Sequence, residues 1–283
     1  MPQKNFFEPK QSMNVKGKLI DLSTPKVMGI LNITPDSFYS NSRSNTIDEA
    51  LKKTEQFLNE GATFIDIGGY STRPGASDIE TSEEIARLVP VIEALVKTFP
   101  EAIISVDTFR AKVAEESILA GAHIINDIAS GDMDAMMFET VARLQVPYIM
   151  MHMQGTPQTM QLNPFYKNVT LEVIDYLAQK IAALKALKVN DLIIDPGFGF
   201  GKTLAHNYEL LKQMQEFKVF QLPVLVGFSR KGMIYKVLET TAAEALNGTS
   251  VLNTIALQKG AGILRVHDVK EAVECIKLVA QIS

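Results

Sequence analysis

The sequence predicts an α/β protein built as one closed barrel of eight β-then-α units, preceded by a short hairpin or plug. Three observations carry that prediction. A short run rich in Ile and Val, a polar or glycine turn and a helix-patterned segment recur in that order along the chain. The runs lack the in–out alternation of a half-exposed sheet, as parallel strands covered on both faces do. No Pro/Ser-rich linker or block of charge divides the 283 residues, and α/β barrels reach roughly 250 residues as one unit although about 150 per domain is otherwise usual.

Taken in order, residues 1–26, with Lys18-Leu19-Ile20-Asp21-Leu22, read as the hairpin or plug and residues 27–283 as the barrel. Strands are expected at 27–33, 63–67, 102–106, 124–125, 147–151, 192–194, 224–226 and 263–266. Between them Ile47, Ala50, Leu51, Thr54, Phe57 and Leu58 repeat at helical spacing, as do Ile85, Leu88, Val89, Ile92 and Val96, and Leu171, Ile174, Leu177, Ala178 and Ile181. Eight strands fit a TIM barrel better than a doubly wound open sheet of five or six.

Composition narrows the function. With 46% apolar and 21% charged residues the chain is ordinary globular material, long enough to bury roughly three quarters of its unfolded surface without staples. Cys275 is the only cysteine, which excludes a disulfide framework and suits a reducing compartment. A net charge of −4 speaks against broad nucleic-acid or membrane-surface binding. The first residues lack an apolar signal stretch and no segment reaches the roughly 18 apolar residues of a membrane span, so a soluble, cytoplasmic protein is expected.

In such barrels the C-terminal strand ends hold the active site. Here those ends carry Asn32, the segment 68–75, Asp107, Asn126 with Asp127, His152, Asp195, Ser229 with Lys231, and Arg265 with His267. Any one Asp or Asn at such a junction serves as a cap or turn residue about half the time. Eight together exceed that explanation, because Lys, Arg and His are poor caps. Sorted by charge, Lys231, Arg265 and His267 form a cationic side, and Asp107, Asp195, Asn32 and Asn126 an acceptor side. A ligand with a phosphate-like tail and a nitrogen-rich, hydrogen-bond-donating head would suit them. His152, Asp127 and the methionines Met150, Met151 and Met153 read as structural, Gly29, Gly68 and Gly69 as points of close backbone approach, and Arg110 and Lys112 as solvated.

Some familiar patterns fail. The run Gly197-Phe198-Gly199-Phe200-Gly201-Lys202-Thr203 has Pro196 where a P-loop needs its first glycine, and its third glycine is one place early for a dinucleotide fingerprint. The four histidines lack zinc-ligand spacing. No serine sits in a nucleophile elbow.

The strings from Met28 to Phe38 (MGILNITPDSF), Asp66 to Gly75 (DIGGYSTRPG), Ile125-Asn126-Asp127, Asp195 to Phe200 (DPGFGF), Gly227 to Lys231 (GFSRK) and Arg265 to Asp268 (RVHD) together resemble the dihydropteroate synthases, the sulfonamide targets of folate biosynthesis. They run in family order over nearly the whole chain. The resemblance implies a TIM barrel that condenses 6-hydroxymethyl-7,8-dihydropterin diphosphate with 4-aminobenzoate, giving 7,8-dihydropteroate and pyrophosphate. It implies that Asp107, Asn126, Asp195 and Lys231 hold the pterin, and that Asn32, Arg265 and His267 hold the diphosphate, with Asn32 also ligating Mg²⁺. It places Lys231, Ser229, Phe200 and two loops, 34–38 and 71–75 with Thr72 and Arg73, around the aminobenzoate. Lys231, Asp107, Arg265 and His267 are the residues expected to carry catalysis, in a homodimer. Lys231→Ala and Arg265→Ala are expected to weaken use of the pterin diphosphate while sparing the fold.

The sequence departs from the family pattern at Tyr39-Ser40-Asn41-Ser42, where Ser-Asp-Gly-Gly is usual, and at Tyr70, where glutamate is common. The first change removes a loop carboxylate and leaves Asp36. Two other functions are weighed against the synthase: a non-catalytic pterin-binding paralogue, disfavoured by Asn32, Thr72-Arg73 and Arg265-His267, and a methyltetrahydrofolate methyltransferase barrel, disfavoured by the Ser71–Gly75 string.

Overall fold

The computed structural model describes residues 10–33, 43–71 and 78–282. It opens with an antiparallel hairpin of β1 (Ser12–Val15) and β2 (Lys18–Asp21). Its two-residue turn has Lys16 and Gly17 at φ 47° and 85°, the pair of positive values that matches the right-handed twist of adjoining strands. Asn14 Oδ1 accepts from Gly17 N at 2.8 Å and pins that turn.

Eight parallel strands follow: β3 (Lys26–Asn32), β4 (Phe64–Gly68), β5 (Ile103–Asp107), β6 (Ile124–Asp127), β7 (Tyr148–Met151), β8 (Leu192–Asp195), β9 (Leu225–Val226) and β10 (Ile263–Val266). Their order is β8-β7-β6-β5-β4-β3-β10-β9. A parallel bridge between Ile194 and Val224, with Ile194 N donating to Pro223 O at 3.0 Å, joins the two ends and closes the TIM barrel. Each strand lies within about two residues of its expected place. The exception in length is β6, which runs on to Asp127 and so takes Asn126 into the wall.

The helices are α1 (Arg43–Glu60), α2 (Thr81–Thr98), α3 (Ala111–Leu119), α4 (Met137–Leu144), α5 (Val169–Ala186), α6 (Leu204–Lys212), α7 (Gly232–Tyr235), α8 (Leu246–Gln258) and α9 (Val269–Val279), with a 3-10 helix at Met214–Phe220. Buried Phe57 in α1 and Leu88 and Ile92 in α2 lie on the faces the spacing marks out. In α5 the stripe differs. Val169, Val173, Leu177, Ile181 and Leu184 are buried, whereas Leu171 is 57% exposed. Leu171 belongs to the first turn, where Asn168 caps its backbone N–H at 3.1 Å, and a run this rich in apolar residues supports more than one four-residue stripe.

Successive strand residues point to opposite faces, and this divides the core. Val27, Leu31, Ile65, Ile67, Ile104 and Val106 pack outward under the helices. Met28, Phe64, Ile124, Ile149, Ile193, Leu225 and Ile263 fill the barrel base, where Met13 and Val15 of the hairpin join them. Gly29 is required by the outer layer: a Cβ there would stand 2.6 Å from the Phe57 ring.

Candidate active site

Two residues up from the apolar base, the same inward face turns polar. Phe64 is followed by Asp66, Ile124 by Asn126, Ile193 by Asp195 and Ile263 by Arg265, while β5 leads through Ser105 to Asp107. The alternation of the strand therefore puts these groups inside one mouth. Arg265 Nε donates to Asp66 Oδ2 at 2.6 Å and its Nη2 donates to Asp107 Oδ2 at 2.6 Å. Asn126 Nδ2 reaches the same Asp66 oxygen at 3.0 Å. Asn32 and Asp107 both approach Gly68, where a Cβ would sit 3.7 Å from Asn32 Oδ1 and 3.9 Å from Asp107 Oδ2.

Burial sets the electrostatics. It pushes the Asp107 carboxyl up to about 7, with Arg265 pulling down and Asp66 adding to the rise. Asp195 is raised by burial against the pull of Lys231. Lys231 is lowered by burial to about 8, and Asp195 opposes that fall. Burial also works against the charge of Arg265, but Asp66 and Asp107 outweigh it and hold the guanidinium above its ordinary range. The expected separation into a cationic and an acceptor side does not occur: Arg265 sits among carboxylates, because a guanidinium in a barrel interior needs paired anions.

On the far side Lys231 Nζ donates to Phe198 O at 2.6 Å and lies 4.6 Å from the centre of the Phe200 ring. Ser229 Oγ pairs with His267 Nδ1 at 2.9 Å and accepts from His267 N at 3.2 Å. Arg230 grips Asp268 through Nε at 3.0 Å and Nη2 at 2.8 Å, tying the loop after β9 to the one after β10. Asp195 Oδ1 accepts from Gly197 N at 2.7 Å. Phe109, Met151, Met153 and Met160 form an apolar wall with Tyr70 and Phe200 against it, while Met150 packs in the outer shell.

The structure thus brings together Asn32, Asp107, Asn126, Asp195, Phe200, Ser229, Lys231, Arg265 and His267. Thr72, Arg73, the 34–38 loop and Tyr39-Ser40-Asn41-Ser42 lie outside the described residues. Asp127 is satisfied by the N–H groups of Ala129 and Gly131 and by Tyr148 OH, and His152 by Lys202. Arg110 is not solvated as expected. It pairs with buried Glu84 at 2.7 Å and with Asp78 at 3.0 Å, because α2 delivers a carboxylate that has no water. Its guanidinium also covers the ring of Tyr70, which stacks edge-on against Phe109 at 5.1 Å. Lys112 is exposed.

Sequence reasoning passed over Asp66 and Lys202. Asp66 stood in the middle of an apolar run, and a lone acid in a buried strand must have a partner. Lys202 stands in a run that fails the P-loop pattern, and nothing local in the sequence marks it as buried.

Comparison with known proteins agrees with this geometry. Residues 28–267 match the family model described as pterin binding enzyme. The chain is 47% identical to the dihydropteroate synthase of Escherichia coli strain K12 over 93% of its own length and 94% of the relative's. It is 46% identical to that of Haemophilus influenzae over 92% and 95%. The Yersinia pestis dihydropteroate synthase, solved as a sulfonamide drug complex, superimposes with a TM-score of 0.90 at 45% identity, covering 96% of this chain and 98% of that one. The Xanthomonas albilineans enzyme, solved with 4-aminobenzoic acid, gives 0.89 at 36% identity, with the same coverage of 96% and 98%. An eight-stranded barrel with paired carboxylates and cations at its mouth, joined to similarity over nearly its full length, means that the chain belongs to the dihydropteroate synthase family of pterin-binding enzymes.

Proposed function

We propose that this enzyme joins 6-hydroxymethyl-7,8-dihydropterin diphosphate to 4-aminobenzoate and releases pyrophosphate. The observation that carries the reading is the convergence of Asp107, Asn126, Asp195, Lys231 and Arg265 on one desolvated mouth. A flat heterocycle with N–H groups along its edge would place them on the Asp107 and Asp195 carboxylates, in charge-assisted bonds worth roughly 1.5–3 kcal/mol each. In this reading Asn126 orders the same edge, while Arg265 and His267 face the diphosphate.

The chemistry follows from where charge appears. As the bond from the pterin methylene carbon to the diphosphate oxygen breaks, negative charge gathers on the leaving group and positive charge on the carbon. Arg265 and His267 stabilise the first, and the electron-rich ring spreads the second. The arylamine nitrogen then bonds to that carbon, and its proton passes to the released pyrophosphate or to water. A neutral amine held at the open face needs position more than activation, which is why neither a serine nor a cysteine nucleophile is called for. Phe200, Ser229 and Lys231, together with Thr72 and Arg73, would enclose the aminobenzoate.

The amide oxygen of Asn32, which approaches Gly68 from the barrel mouth, is a hard oxygen donor of the kind that suits Mg²⁺, a cation that keeps several waters and takes the rest of its shell from substrate phosphates. Asn32 would hold it, and a bound Mg²⁺ would offset charge on the departing diphosphate. A cytoplasmic homodimer goes with this reading, the exposed Val251 of α8 and Leu278 of α9 offering apolar surface for a second copy. Purified protein given Mg²⁺, the pterin diphosphate and 4-aminobenzoate is expected to release pyrophosphate, followed by a coupled phosphate assay. Pterin binding without turnover would instead identify the non-catalytic paralogue.

A further inference from the structure

The loop between β8 and α6 is held in an unusual way. Gly197, Gly199 and Gly201 have φ of 73°, 84° and 59°, so its carbonyls turn in different directions, and although Phe200 N closes one turn on Gly197 O at 3.1 Å, no continuous backbone ladder forms. Each of the carbonyls is taken by a side chain. Lys202 Nζ donates to Gly197 O at 3.0 Å and Phe200 O at 3.1 Å. Lys231 takes Phe198 O at 2.6 Å, Gln161 takes Gly199 O at 2.9 Å and Tyr166 OH takes Gly201 O at 2.7 Å.

Lys202 is the only one of these four that binds two carbonyls of the loop, and it is 3% exposed. Its third strong contact is His152 Nδ1 at 2.9 Å. Burial holds that imidazole far down, at about 2, so it is neutral and can accept. Three protons of an ammonium thus meet three acceptors. Burial lowers Lys202 itself to about 7, and Asp195 opposes the fall. The backbone allows no slack on the other side: a Cβ on Gly197 would come within 1.9 Å of His152 O, and one on Gly201 within 2.5 Å of Gln154 O. The loop is therefore pressed against the β7 end, and Lys202 is the buried cation that ties two of its carbonyls together from within.

We propose that Lys202 is a positioning residue for the site: by gripping the carbonyls of Gly197 and Phe200 it sets the loop so that the Phe198 carbonyl and the Phe200 ring receive Lys231. Lys202 touches no reacting atom. It acts through Lys231, whose ammonium has a defined place only while that carbonyl and that ring keep theirs. Under the reaction proposed above, on which this inference rests, the loss falls most heavily on the aminobenzoate side, where Phe200 and Lys231 both stand, and less on the pterin edge, which Asp107 and Asn126 still bind without Lys231.

The test compares wild type with Lys202→Met. In wild type, a ring 4.6 Å from the ammonium is expected to displace the Lys231 ε-methylene resonance upfield in lysine-labelled NMR spectra, the signal being assigned by its absence in Lys231→Met. In Lys202→Met that displacement is expected to vanish and the KM for 4-aminobenzoate to rise at least tenfold, a larger change than in the dissociation constant of the pterin diphosphate, which Asp107 and Asn126 still hold. A folded variant that keeps the displacement overturns the inference, as does one that loses it with KM unchanged. Should the methionine variant not fold, Lys202→Gln, which retains one donor, is judged by the same two readouts. Wild-type protein without turnover would defeat the proposed reaction alone, since the NMR arm needs no substrate.

Discussion

Arg265 neutralises two carboxylates from different strands, one of them, Asp66, wholly buried, and this changes what its removal should do. The expectation that Arg265→Ala spares the fold does not follow from the structure. Removing one partner of a buried pair leaves uncompensated charge and typically costs about 3–5 kcal/mol. Lys231→Ala is different, because it deletes a desolvated cation whose direct partner is a carbonyl, and there the fold should be kept while use of the pterin diphosphate weakens. The Arg265→Ala penalty has a pH sign. Burial already raises Asp107 to about 7 with the guanidinium present, and without it the carboxyl rises further. An unfolded carboxyl titrates near 4, so the folded variant holds the extra proton and loses stability as pH rises through its raised pKa. Urea unfolding should show a larger deficit against wild type at pH 8.5 than at pH 6. A deficit that is equal at both, or absent, would mean that Asp66 and Asp107 do not depend on Arg265.

At the scale of elements, the strand count and order of the barrel were legible because buried parallel strands leave short runs of Ile and Val between glycine and polar turns. The same property hid which residues face inward. A strand apolar on both sides gives no alternation to read, so Asp66 inside the run 63–67 carries no sign of the inward role it plays, and for the equivalent reason the α5 spacing marks Leu177 and Ile181 correctly but also takes in the exposed Leu171 and Ala178. Gly29 shows what the pattern could convey. Close approach was expected there, and the structure supplies the partner, a Phe57 ring that a Cβ would meet at 2.6 Å. Gly29→Ala must push α1 away from β3, an overpacking that costs about 1–3 kcal/mol. Because the two positions touch, Phe57→Leu introduced with it should recover part of the loss. Urea midpoints of the two single variants and the double variant measure this, and simple additivity would show that α1 packs elsewhere.

The whole molecule has two ends with different tasks, and only one of them was legible as a site. The rim residues could be gathered from the sequence because each follows a strand. Their pairing could not, since Arg265 lies 199 positions from Asp66 and 158 from Asp107, and no local pattern states which cation meets which acid. At the opposite end the hairpin seals the base, with Met13 2% and Val15 4% exposed against Met28, Phe64 and their neighbours. Since conservation of shape at a barrel's N-terminal face serves stability and its C-terminal face serves chemistry, the two should separate under mutation. Met13→Ala leaves a cavity in the base and should cost about 2–5 kcal/mol, seen as a lower urea midpoint. The rim strands remain anchored by their own pairing, so KM for both substrates and kcat should stay within twofold of wild type wherever the variant is folded. If KM instead rises as the midpoint falls, the plug governs the geometry of the mouth, and the division of labour along the barrel axis is wrong.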